Sequence, residues 1–117
     1  MNRVQLRDLL RVAREEFKDI VAEANIQDET RLRIVLKDGS SMDILYPRRD
    51  KYSFHWRREG GIVRINTAPH HPGPTYPRHM HLGSEERVLP DEITSLEAVP
   101  EENLRRVLEW VRKQLRE

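Results

Sequence analysis

Apolar residues first recur every third or fourth position, at Leu6, Leu9, Leu10, Ala13, Phe17, Ile20, Val21 and Ala24. That spacing lines one side of a helix and predicts an amphipathic helix over Val4–Ala24, with Asn2 as its cap and Asn25–Glu29 as its exit. From Arg31 the period drops to two. Leu32, Ile34 and Leu36 alternate with Arg31, Arg33 and Lys37, and Asp38-Gly39 supplies a positive-φ hairpin turn. Met42, Ile44 and Tyr46 repeat the alternation up to Pro47, which ends that run. Tyr52, Phe54 and Trp56 make the inward side of a third strand, with Ser53, His55 and Arg57 on the other. After a turn at Arg58-Glu59-Gly60-Gly61, Val63 and Ile65 alternate with Ile62, Arg64 and Asn66 on a fourth. Every connection is too short for a crossover helix, so the strands form an antiparallel meander. His79–Leu82 can regain an extended form, and Val88-Leu89 can add an edge strand stopped by Pro90. Leu104, Val107, Leu108, Val111 and Leu115 stripe a last helix that opens at Pro100 with Glu101 and Glu102. The expected fold is α+β: an antiparallel β-meander of four to five strands, with N-terminal and C-terminal helices packed on one face.

Composition narrows the picture without naming a function. A chain of 117 residues fits one domain, 1–117, and can bury one core without staples. Cysteine is absent, which excludes disulfides and thiolate metal sites. No apolar run is long enough to span a membrane and no signal-peptide pattern opens the chain, so the expected location is the cytoplasm. A formal charge of +1 excludes a bulk polycation, so any electrostatic recognition must come from a local patch.

One stretch departs from the rest. Arg64 to His81 holds four of the five histidines and four of the seven prolines, and no acid occurs between Glu59 and Glu85. Four prolines rule out a helix or a central strand and leave a stiff loop bearing imidazoles and arginines. Such a cleft suits a phosphodiester. Arginine holds phosphate through paired donors, and two imidazoles can serve as general base and acid near neutral pH. In RNA the 2′-hydroxyl is an internal nucleophile, so neither a metal nor a cofactor is required. The candidate acid/base residues are His70, His79, His81 and His55. Arg64 and Arg78 are candidates for phosphate, and Tyr76, Trp56 and His71 for the remaining substrate contacts. A metal site is the competing reading: His70 and His71 are adjacent, and His79 and His81 share one side of an extended segment. The absence of a neighbouring carboxylate argues against it. Hydrogen bonding by the histidines to structure is the plainer alternative. Tyr52, Phe54 and Trp56 also fit a simple core strand.

The same residues carry a resemblance. Lys37-Asp38-Gly39-Ser40, Lys51-Tyr52-Ser53-Phe54-His55-Trp56, Ala68-Pro69-His70-His71-Pro72, Thr75-Tyr76-Pro77 and His79-Met80-His81 stand in the order found in the TumE toxin family. The resemblance covers Arg31 to Gly83. It implies the prokaryotic toxin of a toxin–antitoxin system, with a separately encoded antitoxin as partner. Where the family pattern carries an aromatic and an Asp-Asn pair, this chain has Ile65, Asn66 and Thr67. A metal-independent ribonuclease or translation inhibitor, with RNA as target, follows by analogy with small toxins. The alternative is a non-enzymatic module whose Pro/His loop binds the antitoxin or forms a homodimer.

Overall fold

The computed structural model describes residues 3–69 and 71–117. Asn2, expected as a helix cap, and His70, expected in the site, lie outside the described residues. The element order is α1 (Leu6–Glu16), β1 (Val21–Ile26), β2 (Arg31–Leu36), β3 (Ser41–Arg48), β4 (Lys51–Arg58), β5 (Gly61–Asn66), β6 (His79–Gly83), β7 (Val88–Pro90) and α2 (Pro100–Leu115). The strands form a seven-stranded sheet in sequential order, each antiparallel to the next. The α+β class holds, but the strands number seven rather than four to five.

The miscount has a physical cause at each end. The first helix stops at Glu16, not Ala24, and residues 21–26 pair with β2 instead. A bulge between Val21 and Glu23 shifts the alternation, so Val21 and Ala24, three apart, both face inward. A bulged strand thereby imitates the helical period. Its unpaired alternative would also have left the edge of β2 open. At the other end, β5 turns through the Pro/His loop and returns as β6, with β7 closing the edge. Pro47 does not end β3. It sits at the irregularity between Leu45 and Arg48, where its missing N–H removes no regular ladder bond.

The inward positions read from the alternation are the core. Leu32, Ile34, Ile44, Phe54, Trp56 and Ile65 are buried, in one cluster with Leu9 and Ala13 of α1 and Leu104, Leu108 and Val111 of α2. Both helices thus cover the same face of the sheet. Polar atoms that enter this layer find partners. The Asn103 amide donates to the Tyr46 hydroxyl at 3.0 Å, and the Trp56 indole donates to Ser40 Oγ at 2.9 Å. Burial pushes the Tyr46 hydroxyl up from its ordinary range, against the pull of Asn103. Exposed ion pairs tie α2 to α1 and the turn after it: Arg105 to Glu16 and Arg112 to Asp19, each at 2.8 Å.

Candidate functional site

The face away from the helices carries the other half of the alternation. Strand register aligns one residue from each strand into a row across it. Arg33 lies opposite Asp43, Asp43 opposite His55, His55 opposite Arg64, and Arg64 opposite His81. Cβ atoms of directly opposed residues stand about 5 Å apart, so this row is a continuous strip of side chains. Asp43 anchors one end, with Arg33 at 2.9 Å and Arg57 at 2.8 Å. Burial acts to raise the Asp43 carboxyl, but the two guanidinium groups outweigh it and hold it below the usual carboxylate range. At the other end Arg64 pairs with Glu85 at 3.1 Å.

His55 stands in the middle of the row. It is half-buried, and desolvation, aided by the charges of Arg64 and Arg57, pushes its imidazole below the ordinary histidine range. Its Nε2 is the one buried side-chain polar atom among the described residues that lacks a hydrogen-bond partner. A neutral ring with an unused nitrogen, flanked by arginines, is an uncommon arrangement for a purely structural histidine.

Three more imidazoles meet at the β6 edge. His79 and His81 are two apart on β6 and so share a side, while the loop carries His71 over them. Ring centroids are 4.8 Å apart for His71 and His79, 5.3 Å for His71 and His81, and 5.0 Å for His79 and His81, each pair edge to face. One ring nitrogen from each lies within 4.8 Å of the others. His79 and His81 are 3% and 5% exposed although they occupy the uncovered side of the sheet. Their Nδ1 atoms stand 3.2 Å from the Pro77 carbonyl and 2.8 Å from the Glu85 carbonyl. A carbonyl can only accept, so both Nδ1 atoms carry a proton, and in the neutral form of each ring the lone pair lies on Nε2. The Glu85 carboxylate also approaches His81 Nδ1, at 3.6 Å. This corrects the expectation that no carboxylate neighbours the histidines. Glu85 lies only four residues beyond His81, but it is the turn between β6 and β7 that brings it back.

The loop is held by a buried clasp that the sequence did not reveal. Asp91 is fully buried and its carboxylate accepts from the Ile93 and Thr94 backbone N–H groups at 2.8 and 3.1 Å, and from the Thr94 hydroxyl. Arg78 donates to the Asp91 carbonyl at 2.7 Å and to the Thr94 carbonyl, and its guanidinium lies 3.5 Å from the Asp91 carboxylate. The Thr75 hydroxyl donates to the Arg78 carbonyl at 2.7 Å and accepts from the Asp91 N–H at 3.0 Å. The Tyr52 hydroxyl closes the set at 2.6 Å from Thr94 Oγ1, and burial pushes that phenol up to about 12. Asp91 and Thr94 sit in the stretch that no periodicity assigned.

The expected site residues therefore separate. His71, His79 and His81 come together, with Arg64 and His55 beside them in the row. Arg78 lies under the loop with its guanidinium engaged by carbonyls rather than facing solvent. Trp56, expected as a stacking surface, is 1% exposed on the helix side, so no base can reach its face. It packs edge-on against Trp110 and under the Arg58 guanidinium. Tyr76 is 56% exposed on the loop. At the departure from the family pattern, Ile65 is core and Asn66 accepts from the Ala68 N–H at 2.6 Å. The Thr67 hydroxyl accepts from the Tyr52 N–H at 3.1 Å. These residues fasten the start of the loop.

Two hollows open near this surface. One of about 500 Å³ is lined by Arg48, Lys51, Ser53, Asn66 and Ala68 and holds no histidine among the described residues. A smaller one, about 210 Å³, is bounded by His71, His79, Thr75, Val88 and Pro90. Among the described residues, the smaller hollow is the one that meets His71 and His79.

The fold and the site define a small α+β protein with a helix-backed sheet, a row of charged and imidazole groups on its open face, and a clasped histidine loop at one edge. The family model described as "Toxin TumE" matches residues 6–115, and the chain belongs to that family. It is accordingly a toxin of the toxin–antitoxin class, whose members are paired in general with a cognate antitoxin. No curated protein and no solved structure gives a significant match. No helix is long and apolar enough to cross a membrane.

Proposed function

We propose that this toxin acts on RNA by cleaving its phosphodiester backbone at the open face of the sheet. The observation that carries the reading is the register of His55, Arg64 and His81 on three successive strands. Two strand spacings separate the outer pair by about 10 Å at the backbone. A phosphate held on Arg64 would then have an imidazole arm on either side. In the proposed step the 2′-oxygen attacks phosphorus and the P–O5′ bond breaks, giving a cyclic phosphate and a free 5′-hydroxyl. His55, kept neutral by its surroundings, takes the 2′ proton. A protonated imidazole of the cluster on the far side of Arg64 gives its proton to the leaving oxygen.

The test is induced expression with and without the antitoxin, read by growth and by RNA integrity. Wild type should arrest growth and fragment RNA, and Arg64→Ala should lower cleavage by about 100-fold or more, the usual scale for losing one charge-stabilising donor. Intact RNA during a toxic arrest would remove this reading.

A second reading, a non-enzymatic module, is favoured by one observation: the clasped proline loop presents Tyr76 to solvent. A preorganised loop with an exposed aromatic suits a protein partner, and here the partner would be the antitoxin. Capture of the antitoxin lost on Tyr76→Ala but kept in Arg64→Ala would support it.

A further inference from the structure

We propose that His71, His79 and His81 form a binding site for a divalent transition ion of the zinc type. Three features converge on it. The first is distance. Tetrahedral zinc with bonds of about 2.0–2.1 Å requires its nitrogens to stand roughly 3.4 Å apart. The three ring nitrogens already lie within 4.8 Å of one another, so rotations of the rings close the remaining gap. The second is the tautomer. Histidine ligands characteristically give their other ring N–H to a backbone carbonyl or carboxylate, which turns the lone pair inward. His79 does this with the Pro77 carbonyl and His81 with the Glu85 carbonyl, a contact that in the neutral ring puts the lone pair on Nε2. Glu85 adds the carboxylate near His81 that strengthens such a ligand. The third is rigidity. The two buried rings sit on a paired strand, and the loop carrying His71 is fastened by Thr75, Arg78 and Asp91.

The all-nitrogen set selects among metals. Imidazole suits zinc, copper, iron and nickel, whereas magnesium and calcium need oxygen donors that this cluster lacks. Three protein ligands leave a fourth tetrahedral position, which water fills in three-histidine sites. The site stands on this geometry alone. Its use in catalysis rests on the RNA reading above. There the ion, held by the three histidines, would supply an acidified water in place of a cluster imidazole as the proton donor to the leaving oxygen.

The experiment uses the full chain, stripped with chelator and titrated with zinc by calorimetry, then with cobalt as a spectroscopic substitute. One equivalent should bind, the melting temperature should rise with zinc and fall back with chelator, and cobalt should give the intense visible bands of a tetrahedral ion. His79→Gln and His81→Gln should each weaken zinc binding by at least about 100-fold, the upper range for losing even an outer partner of a ligand. His55→Gln keeps all three ligands and should bind zinc as wild type does. The folded wild type failing to bind zinc, or binding it equally well after both histidine substitutions, overturns the proposal. So does a weak octahedral cobalt spectrum, the signature of an ion held loosely at the surface. RNA cleavage that persists in excess chelator would leave the RNA reading standing and reject the metal in it. Tight zinc binding without cleavage would do the reverse.

Discussion

The two faces of one sheet are built from alternate residues of the same strands, yet they are held by different physics. On the helix side, Ile34, Ile44, Phe54 and Ile65 have 0–1% exposure and form a close-packed layer with α1 and α2. On the other side, Arg33 and Arg57 pair with Asp43, Arg64 and His81 with Glu85, several of these contacts open to water, and His55 lies in register between Asp43 and Arg64. Packing is collective and tolerates little change of volume. Exposed ion pairs add little stability each, so the open face is free to carry chemistry. The histidine edge lies between these cases. It is on the open side by register but buried by a loop, and its burial depends on polar clasps rather than on a helix.

That contrast can be broken from either side. The largest effect is expected on the packed face: Phe54→Ala should destabilise by about 3–5 kcal/mol, through lost burial and the cavity left among Tyr46, Tyr52 and the helices. Chemical denaturation would measure it, and a loss below about 1 kcal/mol would mean that this layer is not close-packed. Next comes the clasp. Asp91→Ala removes the acceptor for two backbone N–H groups and the Thr94 hydroxyl, and strips Arg78 of its counter-charge. Breaking a buried network of this kind costs about 3 kcal/mol. Hydrogen exchange should show the loss concentrated in residues 71–78 and 91–95, with β2 and β3 still protected. Uniform deprotection would show that the clasp and the core unfold together.

The smallest effect sharpens the comparison on the open face. The imidazole of His55 is held below its ordinary value, so the folded state resists the proton that the unfolded chain accepts. Its contribution is intact above the unfolded value of about 6.5 and is lost as pH falls from there through the lower folded value. The midpoint of urea unfolding should therefore decline on acidification below pH about 6.5, and His55→Gln should flatten that decline. An unchanged pH slope in the variant would assign the titration to another group. Any effect on toxicity would be separate, since the substitution also removes the base proposed for RNA cleavage.

What could be read from the chain alone was whatever depends on neighbours in sequence. Period-two alternation marked β2 to β5 and their inward residues. Asp38-Gly39 and Gly60 marked turns that do adopt positive φ, +91° at Gly39 and +93° at Gly60. Pro100, Glu101 and Glu102 marked the start of α2. The concentration of histidines marked the region of the imidazole cluster, in which His71, His79 and His81 meet. The misread strand, residues 21–26, reads as helix in the sequence because a bulge and a helical turn produce the same spacing of buried residues, and only the pairing with β2 distinguishes them.

The order of importance within the site was decided in three dimensions. Which imidazoles meet is set by the register of β5 against β6 and by the path of the loop, and neither is encoded in local spacing. Arg78 and Arg64 look alike in the chain. One is drawn under the loop by carbonyls from residues 91 and 94, and the other stays on the strip beside His81. Asp91, the buried acid of the clasp, gave no local signal, because its partners come from the backbone of a segment without periodicity. Local pattern determines where a side chain points from its own strand or helix. Long-range pairing determines what it then faces, and that is the part on which a metal, a phosphate or a proton depends.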